Sequence, residues 1–373
     1  MKKRLLALIL SSALIAVLSG CSAKDSSQEL PSEPIVTDNQ NVSDDANTAS
    51  STESEVTEPA SEPVSEPAAD SGTSVFDEAD TSAFTSETAL ASIERYKNFL
   101  LGNENVYVNA TQYFNDGTYS YEDLLDGHKE GLDTDSLPSD LVSAEYAFID
   151  CCLNGEPELL LKLTYDRGEE YSEQLIDYLV IRPMFDELTL ICAKQTFYRS
   201  NTNINYAGYI IEDGSGGAAI YYSSSSFISS DGETYRLFSC TTYSGLSTPI
   251  IPMDALPISW IDDLVPANME YSEDYTCDAY SFEDFREQNA DEDYETYYEE
   301  LVKNKYYVFY DAVSNGVMPD DDYMTKCSEY GLKICSHDDI IKMTDDILSS
   351  YGIDEKITAA CAPTYYTFYT RQK

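Results

Sequence analysis

Histidine and tryptophan are almost missing from this chain, with two His and one Trp in 373 residues. So few histidines leave little for acid–base relays or imidazole-ligated metals. No Cys-x-x-Cys pair occurs, which argues against a structural zinc site. The motifs Gly-x-Ser-x-Gly, Ser-x-x-Lys and His-Glu-x-x-His are also absent, which removes the common hydrolase and zinc-protease signatures. His128 stands in a Gly127-His128-Lys129 turn, and His337 stands at a predicted helix start, where capping or a surface role is expected. Basic residues are scarce: 22 Lys and Arg face 68 Asp and Glu, a formal charge of −46. Such a field repels nucleic acid and anionic lipid and favours cationic partners or divalent ions. Such a charge also favours solubility.

What is present begins with Met1-Lys2-Lys3-Arg4, an apolar run from Leu5 to Val17, and Leu18-Ser19-Gly20-Cys21. A cationic start, a short apolar core and small residues before a cysteine define an export signal. The stretch resembles a bacterial lipoprotein signal peptide with its lipobox. The resemblance implies that residues 1–20 are removed and that the Cys21 thiol carries diacylglycerol. The protein would then be tethered by lipid to the outer face of the cell membrane. The alternative is an uncleaved N-terminal anchor. No second apolar stretch of that length follows.

Residues 21–85 are a different material, rich in Ser, Thr, Glu, Asp, Pro and Ala, with one Lys, no Arg and no Tyr. This composition cannot bury enough apolar surface to offset ordering entropy. It predicts a disordered, extended acidic stalk. The remaining 86–373 allow one large domain or two smaller ones. We divide them into an α+β domain at 86–255 and an acidic α-rich region at 256–373, which can equally belong to the same domain.

Beyond Cys21 there are eight cysteines, an even number that suits disulfides in an exported protein. Free buried thiols are the other reading. Cys151 and Cys152 would point to opposite faces if they lay in a strand.

Apolar spacing predicts a helix over Ala89–Leu101 and a short one over Tyr121–Leu125. Strand texture then runs from Tyr146 to Tyr243: Leu159–Tyr165, Tyr178–Ile181, Leu188–Ala193, Tyr206–Glu212, Ala218–Ser223 and Tyr235–Cys240. Asp213–Gly217 and Asp231-Gly232 read as hairpin turns, so the region is expected to be one antiparallel meander. Helices are expected at Phe282–Gln288, Tyr294–Lys303, Pro319–Tyr330 and Asp338–Tyr351, the last capped by Ser336. Tyr306–Tyr310 and Tyr365–Tyr369 read as strands. The fold class is therefore α+β: an N-terminal helix, a β-meander, then helices with a few strands.

One loop carries the pattern of metal chemistry. Asp150, Asn154 and Glu158 occupy the first, fifth and ninth positions of a calcium-type loop, Gly155 the sixth, and the Glu156 carbonyl would serve the seventh. The loop resembles the Asp-x-Asp-x-Asp-Gly-x-x-Glu loops of FG-GAP-like extracellular domains. Cys152 departs from that pattern, because a thiol is a poor calcium ligand. Position twelve is Leu161, so it is not an EF-hand. Two readings stand: a weak calcium site, or a relic turn whose Asp150 and Asn154 bond the turn backbone. No other cofactor is implied. Together with Tyr209–Gly217, this stretch is similar to lipoproteins of Gram-positive bacteria, a resemblance that implies no known activity. Gly214-Ser215-Gly216-Gly217 lacks the Lys-Ser/Thr of a phosphate loop, and Ala219 breaks a Gly-x-Gly-x-x-Gly match.

Tyrosine is in excess, 31 residues with doublets at Tyr221-Tyr222, Tyr297-Tyr298, Tyr306-Tyr307 and Tyr365-Tyr366. Such rings fill cores and sheet faces, stack on sugars, or line interfaces. On a strand, one ring of each doublet faces in and the other out. Trp260 is expected in the core or at a domain junction. The leading expectation is a non-enzymatic surface lipoprotein that binds a cell-wall glycan or an envelope protein through a tyrosine-rich face. The alternative is an extracellular polysaccharide hydrolase using a carboxylate pair. A third is a structural or stress-related envelope protein without a small ligand.

Overall fold

The computed structural model describes residues 79–109, 111, 114–125, 140–166, 174–196, 199–217, 219–267, 272, 274–282, 293–311 and 316–370. The leader with Cys21, the stalk up to residue 78, His128, and the predicted helix after Phe282 lie outside the described residues. The described residues belong to one compact unit of α+β class. Phe84 is buried in its first core, so packing begins ahead of residue 86.

Two seven-stranded mixed sheets make the body. In the first, β3 (Asp140–Ile149), β4 (Glu158–Asp166), β5 (Leu175–Met184) and β6 (Glu187–Thr196) form an antiparallel meander. β1 (Val106–Val108) pairs in parallel with β6 and antiparallel with β2 (Gly117–Tyr119). β14 (Tyr366–Thr370) closes the other edge against β3. In the second sheet, β7 (Ser200–Ile204), β8 (Tyr209–Ser215), β9 (Ile220–Ile228), β10 (Thr234–Leu246), β11 (Tyr275–Ser281) and β12 (Tyr306–Asp311) follow one another antiparallel. β13 (Lys333–Ile334) adds in parallel to β12.

The expected single meander is thus two, and the chain changes sheets between β6 and β7. The expected strand at Tyr206 starts only at Tyr209. Asn205 Oδ1 accepts the N–H groups of Ala207 (3.0 Å) and Tyr209 (2.9 Å), and Gly208 turns the chain at φ 80°. Asp213–Ser215 belong to β8, so the hairpin there turns after them.

Alternation explains the layers. On one face of the first sheet, Tyr146, Phe148, Leu159, Leu161 and Leu179 pack against α1 (Glu87–Leu100), through Ala89, Ile93, Tyr96 and Phe99. Each Leu, Ile or Phe side chain buried here contributes about 1.5–3 kcal/mol. Tyr96 keeps its hydroxyl satisfied by donating to the Pro157 carbonyl at 2.7 Å. The opposite face, with Ala147, Ile149, Leu160 and Val180, meets Ile204, Ile210 and Ile228 of the second sheet. A short helix, α2, spans 121–125.

Farther along, the same face of the second sheet is covered by α3 (Ile258–Leu264), α4 (Tyr294–Lys303) and α5 (Asp321–Glu329), through Trp260, Leu264, Val302 and Cys327. Trp260 is a core residue, as expected. The other face carries α6 (His337–Ser350) and α7 (Glu355–Thr358), which bring Ile347, Leu348, Ile353 and Ile357 onto Tyr209, Phe227 and Leu237. Ser336 and Asp339 form a full capping box at the start of α6, the arrangement that satisfies two otherwise unpaired N–H groups.

Candidate functional site

The loop between β3 and β4 gathers Asp150, Asn154 and Glu158 as the spacing predicted, but their oxygens face protein donors. Asp150 Oδ1 accepts from the N–H groups of Asn154 (2.7 Å) and Gly155 (3.0 Å), and Oδ2 from Gly155 at 3.1 Å. Asn154 Oδ1 accepts the Glu156 N–H at 2.8 Å. Glu158 is buried; its Oε2 accepts the Cys151 N–H at 2.9 Å, and its Oε1 lies 3.8 Å from Arg182 Nη1. Burial pushes the Glu158 carboxyl up to about 7, against the pull of the Cys151 N–H and Arg182. These are the bonds of a self-closed turn. Among the described residues, no group of three or more His, Cys, Asp or Glu is arranged to hold a metal.

Cys151 and Cys152 lie in a 3-10 turn rather than a strand, with Cys152 at φ 68°. Cys151 belongs to the core between the sheets, and Cys152 packs against the cluster of Tyr209, Phe227 and Leu237. A Cβ on Gly208 would come within 2.6 Å of Cys151 Sγ, and Cys152 Sγ reaches the Ile228 carbonyl at 3.5 Å. All eight cysteines after Cys21 are free thiols.

A second constellation depends on strand register. β10 to β12 align Thr242 with Asp278 and Val308, Cys240 with Tyr280 and Tyr306, while Thr276 faces Tyr310. β8 and β9 extend these rows with Ser215 and Tyr221, and with Asp213 and Ser223. Alternation puts all these side chains on the face that carries α6. The result is a half-buried polar patch at the centre of a sheet. Thr242 Oγ1 donates to Asp278 Oδ1 at 2.7 Å, and the Tyr280 hydroxyl donates to Oδ2 at 3.3 Å. The Tyr310 hydroxyl pairs with His337 Nδ1 at 3.0 Å, at the start of α6. Burial holds the Asp278 carboxyl above its usual range, with Thr242 and Tyr280 pulling it back. Burial likewise raises Tyr280 and Tyr310 and lowers Lys305.

His337 therefore stands at a helix start, as the sequence indicated, and also reaches into this patch. Thr242, Asp278, Tyr280 and Tyr310 were not singled out from sequence. Their signal is the alternation of Thr276, Asp278 and Tyr280 with buried Cys277 and Ala279.

The tyrosine doublets behave in two ways. Tyr307 is buried beside half-buried Tyr306, the expected in-and-out pair. Tyr221 and Tyr222 are both exposed, at 48% and 40%. Tyr221 stands at the end of the polar patch, whereas Tyr222, on the opposite face, lies over Gly214. Tyr294 and Tyr298 stack at 5.8 Å on α4. Lys333 sits over the Tyr306 ring at 4.7 Å, within cation–π range.

The chain matches no family model, no curated protein and no solved structure.

Proposed function

We propose that the protein is a surface lipoprotein, held outside the membrane through Cys21, that acts as a non-enzymatic binding module for a cell-wall glycan. The observation that carries this reading is the half-open row Tyr221, Thr242 and Asp278 on the second sheet. A sugar offers a CH face to an aromatic ring and hydroxyls to carboxylate and hydroxyl groups. The net charge of −46 favours a neutral or cationic polymer and disfavours nucleic acid. The hydrolase alternative needs two carboxyl groups about 5–10 Å apart. Asp213 and Asp278, the two acids of the described strand residues on this face, stand on strands three spacings apart, or roughly 14 Å.

Co-sedimentation of the mature protein with purified, protein-free cell wall tests the reading. Wild type is expected to pellet saturably. Tyr221→Ala and Thr242→Val should each weaken binding about tenfold, the scale of losing one contact of about 1.4 kcal/mol, and Tyr294→Ala should not. Equal binding by all four proteins, or by none, would sink the proposal.

A further inference from the structure

Phe185 is the most exposed large apolar side chain among the described residues, 98% open, and it sits at the tip of the β5–β6 hairpin. Met184 pairs with Glu187, so the loop holds only Phe185 and Asp186. Phe185 adopts φ 55°, a left-handed conformation that tight hairpins ordinarily assign to Gly, Asn or Asp. A bulky ring here costs conformational strain and exposes apolar area, and neither helps the fold.

The same end of the first sheet repeats the anomaly. Cys152 and Leu153, in the turn between β3 and β4, have φ 68° and 53°, and Leu153 is 42% exposed. Three of the four described non-glycine residues with left-handed backbone thus gather at one end of one sheet. The two tips are separated by two strand spacings, roughly 10 Å, the diameter of one helix.

This end is held firmly. Arg95 Nη2 donates to the Asp186 carbonyl at 3.0 Å and reaches Glu104. Arg182 Nη1 donates to the Ser230 carbonyl at 3.1 Å, tying the β9–β10 hairpin to β5. Both arginines are therefore engaged. The exposed charges around the tips are acidic: Asp186, Glu187, Asp231 and Glu233. An apolar anchor held rigidly inside a charged rim is the anatomy of a binding hot spot.

We infer that this end of the first sheet is a docking point for a basic amphipathic helix of an envelope protein, with Phe185 as its apolar anchor and Leu153 as its second contact. Charge complementarity selects the partner: the acidic rim and the acidic whole repel an anionic bilayer and a second copy of this chain. The site lies apart from the polar face assigned to glycan, and neither reading depends on the other.

The probe is a synthetic helical peptide of Lys and Leu, titrated by calorimetry into the full mature protein beside a control with Ser replacing each Leu. Wild type should bind the Leu peptide at least tenfold tighter than the Ser peptide. Phe185→Asn, which suits the left-handed backbone and should fold at least as well, should abolish that preference while its thermal midpoint stays level or rises. Phe185→Leu should keep most of it. Equal affinity for both peptides, or a preference that survives Phe185→Asn, overturns the inference. So does Phe185-dependent binding to lipid vesicles, or Phe185-dependent dimerisation in sedimentation, since each names another occupant.

Discussion

Asp150 spends both carboxylate oxygens on the backbone of its own turn. Three accepted bonds at the junction of β3 and β4 make it a structural clamp. Asp150→Ala should therefore destabilise the protein by about 2–3 kcal/mol, because loss of the carboxylate leaves the N–H groups of Asn154 and Gly155 without their partner. A guanidinium titration reads this as a lower midpoint at unchanged slope. Calcium titrated into the wild type should give only heat of dilution. Saturable heat that vanishes in Asp150→Ala would establish the metal reading instead. The spacing of Asp150, Asn154 and Gly155 was legible because turn chemistry is local. It could not tell calcium loop from closed turn, since that depends on where the oxygens point.

At the scale of elements, β8 and β9 illustrate how one small residue shapes a sheet. Gly214 faces Tyr222 across the ladder, and a Cβ on Gly214 would fall 2.2 Å from the tyrosine ring. The ring lies across the neighbouring strand only because that Cβ is missing. Gly214→Ala should cost about 1–3 kcal/mol through overpacking. In a Tyr222→Ala background the same change should cost almost nothing, and a double-mutant cycle by thermal unfolding measures the difference. Local signals did well at this scale. Apolar spacing located α1, Ser336 marked the start of α6, and strand texture marked β4 to β6. The exchange of sheets between β6 and β7 has no local signature, because alternation reads the same whichever partner a strand takes. The polar face was hidden for the same reason: Thr242 and Asp278 are 36 positions apart and meet only through register.

For the whole molecule, 68 acidic groups against 22 basic ones make self-repulsion a general term. Asp278 adds a specific one. Its folded carboxyl titrates above the usual range, so folding favours its protonated form. That contribution is fully present below the unfolded value of about 4 and is lost as pH rises through the folded value. Thermal midpoints should therefore fall as pH rises from about 4 through that folded value. High salt should flatten the general part of the trend by screening. Asp278→Asn should remove the specific part at any salt, and an unchanged profile in that variant would refute the assignment. β14 has a different bearing on the whole. Tyr366 joins β3 through Tyr146, 220 positions earlier, and its hydroxyl accepts the N–H of Asp80, 286 positions away. Contacts so distant along the chain form late and slowly. Until they form, β3 is a bare edge able to recruit strands from other molecules. The interval between synthesis and closure is thus the period in which this protein is most open to aggregation and proteolysis, and a chain cut short of Tyr366 would never leave it.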